Sequence, residues 1–95
     1  MAGLKKILLV DDEDDLREAL AEQLVATEDF DVFEAGTGAE AVEKTKGAIF
    51  DLVLLDVGLP DTDGRELCKR LRKQGVKCPI VMLTGHDTDA DTILG

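Results

Sequence analysis

Four positions carry most of the chemistry available to this sequence: the adjacent Asp11 and Asp12, the lone Asp56, and the hydroxyl of Thr84. Each follows directly on a short apolar run, namely Ile7 to Val10, Leu52 to Leu55 and Pro79 to Leu83. Three carboxylates gathered in one place repel one another, and at neutral pH such a cluster persists chiefly where a hard divalent cation or a bound proton compensates. Few protein oxygens with room for water favour Mg2+ over Ca2+. Any one of these residues could simply end a strand in solvent or cap a helix; an Asp pair, an Asp and a Thr at three successive run ends form a narrower pattern.

Other site chemistries fail on spacing. The turn after the first run is Asp11-Asp12-Glu13-Asp14-Asp15, which is no glycine-rich phosphate loop and would repel a nucleotide phosphate unless a metal intervened. Asp61-x-Asp63-Gly64 hints at a calcium loop, but the first ligand position would fall on Leu59 and the bidentate one on Arg70. A phosphatase with a second Asp two residues after the nucleophile would need a carboxylate at Gly58. His86 is the only histidine, so no Ser-His or Cys-His pair is supported, and its simplest role is that of a surface side chain. Cys68 and Cys78 have neither zinc-type spacing nor a C-x-x-C arrangement; reduced, buried or half-buried thiols and a cytoplasmic location are expected.

The elements that must position these residues follow from hydrophobic periodicity. Lys6 to Val10 reads as a strand buried on both faces, and Leu16, Ala19, Leu20, Leu24 and Val25 then recur at helical spacing as a core stripe. Phe30 to Ala35 is a weaker strand. Thr37-x-x-Glu40 is a capping-box signature for a helix running to about Lys46. Asp51 to Asp56 is the strongest strand and belongs centrally in a parallel sheet. Gly58 to Gly64 is loop, Asp63 with Glu66 can cap a helix carrying Leu67, Cys68 and Leu71, and Gly75 ends it. Pro79 to Thr84 is a fourth strand, and Thr88 to Asp91 begins a further helix.

That alternation is an α/β fold, and right-handed crossovers make it a doubly wound parallel sheet. Of the two common strand orders, 2-1-3-4 reverses between the first and third strands, and ligands bind outside the carboxyl ends where the order reverses. Asp11, Asp12, Asp56 and Thr84 all stand at those ends.

With 95 residues, one small domain spanning 1–95 is expected. The net charge of −10 argues against direct nucleic acid binding by this segment, and the apolar run Ile7 to Val10 is too short to export a chain or span a membrane. Residues 1–63 carry 5 basic and 17 acidic side chains, whereas residues 64–82 carry 6 basic and 1 acidic. The basic stretch reads as a solvated helix face.

The segments Leu8 to Glu13, Leu54 to Gly64 and Val81 to His86 resemble the receiver domains of two-component response regulators, and the resemblance spans the whole chain. It implies a flavodoxin-like, CheY-like fold in which Asp56 accepts a phosphoryl group from a sensor histidine kinase or histidine phosphotransferase. Asp11, Asp12, Asp56 and the Gly58 backbone carbonyl would then hold Mg2+. Thr84 would be the switch hydroxyl that turns toward the phosphoryl group, and the phospho-switch would control an output, most often transcription. His86 falls where the family varies the side chain overhanging the phosphoryl group.

Family receivers continue through a fifth strand, which carries a lysine that pairs with the phosphoryl group, and a fifth helix; this sequence stops at Gly95. The expectation is a C-terminally truncated receiver with an unpaired fourth-strand edge and an uncovered apolar sheet face. Such a chain would be poorly stable alone, or would form a homodimer or strand-exchanged dimer. If its output half is absent, its role would reduce to an interaction module.

Overall fold

The computed structural model describes residues 4–83 and 92–94. In chain order it comprises β1 (Lys5–Val10), α1 (Asp14–Ala26), β2 (Phe30–Ala35), α2 (Gly38–Gly47), β3 (Leu52–Asp56), α3 (Gly64–Gln74), β4 (Ile80–Leu83) and β5 (Thr92–Leu94). The sheet order is β2-β1-β3-β4-β5, so the first four strands have the 2-1-3-4 order expected and pair in parallel. The apolar quartets of β1 and β3 place these strands side by side at the centre, with Ile7 opposite Leu52 and Val10 opposite Leu55.

Right-handed crossovers in this order set α1 on one face of the sheet and α2 and α3 on the other. The second face holds the main core: Leu8, Val10, Val53, Leu55, Ile80 and Met82 of the strands meet Ala41 and Val42 of α2 and Leu67, Cys68 and Leu71 of α3. Phe50 closes its lower end, edge-on to Phe33 with ring centroids 5.4 Å apart. Gly75 ends α3 at φ 107°, a left-handed conformation that glycine adopts without strain.

The α1 face differs from the expected core stripe. Ala21 is the buried residue of α1, while Leu20 and Leu24 are half-buried and Ala19 is exposed. Leu16 is 46% exposed and Val25 51%. The physical reason is cover: α1 lies over β1 and β2, and among the described residues no second helix packs beside it on this face. Leu52, Leu54 and Val81, which point to the same side, are correspondingly only half-buried.

The edge of β4 also departs from expectation. β5 pairs with it antiparallel, Ile80 opposite Leu94 and Met82 opposite Thr92. An open strand edge offers a row of N–H and C=O groups, and the β-favouring Thr-Ile-Leu segment supplies partners for them. The helix expected to start at Thr88 lies outside the described residues and does not extend through Thr92–Leu94.

Candidate functional site

Parallel register decides where the acidic residues meet. Val10 is opposite Leu55, so the next residues, Asp11 and Asp56, leave two neighbouring strands at the same level. Asp11 remains tied to the sheet by its amide, which donates to the Ala35 carbonyl at 3.0 Å. It is the one buried charged residue among those described, whereas Asp12 is exposed and Asp56 half-buried. One carboxylate oxygen from each of the three lies within 4.8 Å of the others.

The electrostatics follow from that proximity. Burial pushes the Asp56 carboxyl above the ordinary carboxylate range, and repulsion from Asp11 and Asp12 adds to the effect. Backbone hydrogen bonds from Gly58 and Val57 oppose the shift without cancelling it. A buried, hydrogen-bonded Asp11, an exposed Asp12 and a desolvated Asp56 form an oxygen-only donor set suited to a hard divalent cation. Such an ion would relieve the repulsion that burial intensifies.

Local turns fix each member. Asp11 Oδ1 accepts from the Glu13 amide at 2.9 Å, which turns the chain into α1, where Asp14 and Asp15 favour the positive end of the helix. After Asp56 the chain turns back on itself. Gly58 and Asp63 form an antiparallel bridge, the Gly64 amide donates to the Val57 carbonyl at 2.9 Å, and Asp63 accepts from the Arg65 amide at 2.7 Å as the cap of α3. Glu66 pairs with Lys69 instead of completing a capping box. The structure therefore brings Asp11, Asp12 and Asp56 together, with Gly58 two residues after Asp56; Thr84 and His86 lie outside the described residues.

Two residues important to this corner carry no sequence signal. Arg17 of α1 donates from Nη1 to the Asp11 carbonyl at 2.6 Å, from Nε to Glu34 at 2.9 Å, and pairs through Nη2 with Asp14 at 2.8 Å. Asp61 reaches across to the start of α2. An Arg amid a run of acids is visible in the sequence, but its reach to β2 is not.

In sequence and in fold the chain resembles known proteins. Residues 7–94 match the family described as the response regulator receiver domain. The chain belongs to that family. This receiver is 45% identical over 91 residues to the alkaline phosphatase synthesis transcriptional regulatory protein PhoP of Bacillus subtilis, covering 96% of the chain and 38% of that protein. It is 41% identical over 90 residues to the regulatory protein VanR of Enterococcus faecium, again covering 38% of the relative's length. The receiver thus spans well under half of these curated relatives. Among solved structures it resembles the response regulator TrrA of Thermotoga maritima in complex with Mg2+ and BeF, with a TM-score of 0.80 and 37% identity. That match covers 88% of the receiver and 72% of the other chain. A two-component response regulator from Clostridium difficile matches with a TM-score of 0.82 at 33% identity, covering 90% and 69% respectively. Among the described residues, no helix is long and apolar enough to cross a membrane.

Proposed function

We propose that residues 1–95 form a phospho-accepting receiver in which Asp56 takes a phosphoryl group from a sensor histidine kinase or histidine phosphotransferase. The observation that carries this reading is the trio of carboxylates within 4.8 Å of one another at the carboxyl ends of β1 and β3. A carboxylate oxygen of Asp56 attacks phosphorus as the bond to the donor imidazole nitrogen breaks, and the electron pair leaves with the imidazole. Asp56 must be ionised to attack, although its surroundings disfavour the charge. Asp11, Asp12, Asp56 and the Gly58 carbonyl would hold Mg2+, which when bound supplies charge neutralisation and alignment for phosphoryl transfer.

The new group adds a charge of about −1.5 to −2 beside Asp11 and Asp12, enough to bias a two-state loop. Thr84 is proposed as the switch hydroxyl because it directly follows Leu83, the register partner of Asp56. Control of transcription is proposed on the strength of the named regulators the receiver resembles. A cytoplasmic location is part of the same reading, as is the absence of direct nucleic acid binding by this acidic segment.

A second reading, an interaction module that associates without productive switching, draws on the half-buried Leu52, Leu54 and Val81. A homodimer or strand-exchanged dimer would cover them, and light scattering detects either. Intact mass after incubation with acetyl phosphate and Mg2+ separates the two readings. A gain of one phosphoryl group in the wild type, absent in Asp56→Asn, is expected. No Asp56-dependent gain overturns the first reading in favour of the second.

A further inference from the structure

We propose that Asp61 is a positioning residue for the divalent-cation site, fastening the loop that carries Gly58 to the N-terminus of α2. The inference rests on the reading that Asp11, Asp12, Asp56 and the Gly58 carbonyl hold the cation. Its basis is a pair of hydrogen bonds between segments distant in sequence. Asp61 Oδ1 accepts from the Gly38 amide at 2.9 Å, and Oδ2 accepts from the Ala39 amide at 3.1 Å.

The first amides of a helix have no partner within it, and α2 divides them between two caps. Thr37 Oγ1 takes the Glu40 amide at 3.1 Å, while Glu40 reaches back to the Gly36 amide at 2.6 Å. The local cap thus leaves the Gly38 and Ala39 amides, and these are the two that Asp61 accepts. A carboxylate there also faces the positive end of the helix dipole. The contact is close as well as polar: a Cβ on Gly38 would stand 2.5 Å from Thr62 Cγ2, so the loop lies directly on the backbone of α2. Ala41 and Val42 bury α2 in the main core, which makes the helix a firm anchor.

The remaining backbone ties are the Val57 amide on the Leu83 carbonyl of β4, where the chain leaves β3, and the Gly58–Asp63 bridge and the Gly64 amide on the Val57 carbonyl, which run within the loop or to its α3 end. Asp61 supplies the tie to α2 beyond Gly58. Two residues separate it from Gly58, whose carbonyl is the one proposed cation ligand not borne on a side chain. Freeing Asp61 lets that carbonyl sample more positions, and the cation must then bear the cost of ordering it.

The test measures Mg2+ binding to the 95-residue chain by calorimetry, at temperatures where circular dichroism shows each variant folded. Asp61→Ala is expected to weaken binding about tenfold, the lower end for residues that orient metal ligands. Asp61→Asn retains an acceptor oxygen without the charge and should recover most of the affinity. Gly38→Ala keeps every charge, displaces Thr62, and should weaken binding as well. Without Mg2+, amide exchange at Gly58 and Gly64 should quicken in Asp61→Ala. Unchanged affinity and exchange in Asp61→Ala overturn the proposal. So does an Asp61→Asn variant as weak as Asp61→Ala whose deficit vanishes in high salt, because charge alone would then explain the loss. Wild-type protein that binds no Mg2+, or binds it equally well as Asp56→Asn, refutes the metal reading itself, a result distinct from either of these.

Discussion

Gly64 lies against the backbone of Asp56: a Cβ on this glycine would stand 2.8 Å from the Asp56 carbonyl oxygen and 2.8 Å from Val57 Cα. Both contacts are backbone atoms, so neither can rotate away. The first residue of α3 must therefore be glycine for the chain to fold back under the end of β3 and keep Gly58 beside Asp56.

Gly64→Ala is accordingly expected to destabilise the fold by about 1–3 kcal/mol, although alanine is the better helix former by about 1 kcal/mol. Gly47→Ala is the control, since a Cβ there meets nothing within 4 Å. It should leave the melting temperature unchanged or slightly raised. Thermal melts of the two variants check the expectation, and equal melting temperatures would show that the close approach at Gly64 relaxes at no cost.

Asp56→Asn should stabilise the protein at neutral pH in the absence of divalent cations. Burial, with repulsion from Asp11 and Asp12, raises the Asp56 carboxyl above its unfolded value, so the native state holds its proton to higher pH than the unfolded chain does. Stability therefore falls as pH rises through that window, and the ionised group weakens the fold above it. The gain from Asp56→Asn should vanish below the ordinary carboxylate range and shrink when Mg2+ is added. Melting temperature against pH, with and without Mg2+, reads all three effects.

Asp61 behaves in the opposite sense. The Gly38 and Ala39 amides hold its carboxyl below the usual range although the residue is exposed. Its contribution is present above the unfolded pKa and is lost as pH falls through the lower folded value. Asp61→Ala should melt below the wild type at pH 7, with the difference closing in acid. A deficit that persists in acid would point to lost packing by Thr62 instead of the hydrogen bonds.

What the sequence makes legible divides along the range of the interactions. The apolar runs before Asp11 and Asp56 identify two central strands, and parallel register then forces the two carboxylates to one level. The helix stripe of Leu16, Leu20 and Val25 gives the orientation of α1 but not how much covers it, because burial depends on neighbours that periodicity does not specify. Thr92–Leu94 pairs as a strand because an edge is at hand, a tertiary circumstance that the local sequence does not specify. The Asp61–Gly38 tie spans 23 residues and leaves no local trace in either segment.

Arg17 offers the most demanding test of how the acidic corner is held. Its guanidinium makes three bonds in three directions, to the Asp11 carbonyl at the end of β1, to Glu34 on β2 and to Asp14 on α1, and its side chain is 13% exposed. Removing it leaves the Asp11 carbonyl and Glu34 without their cationic donor. Glu34 at 36% and Asp14 at 75% exposure can recruit water, which limits the loss. Arg17→Met, which keeps the apolar stem, should cost about 1–3 kcal/mol. Arg17→Lys should recover little, because one ammonium cannot match a planar fork aimed at three acceptors. Adding Glu34→Gln to Arg17→Met should restore part of the loss by removing the carboxylate that Arg17 neutralised, giving a coupling energy of about 0.5–3 kcal/mol in a double-mutant cycle. Additive effects of the two changes would mean that Arg17 acts through the Asp11 carbonyl and Asp14 alone, with β2 held in place by its ladder to β1.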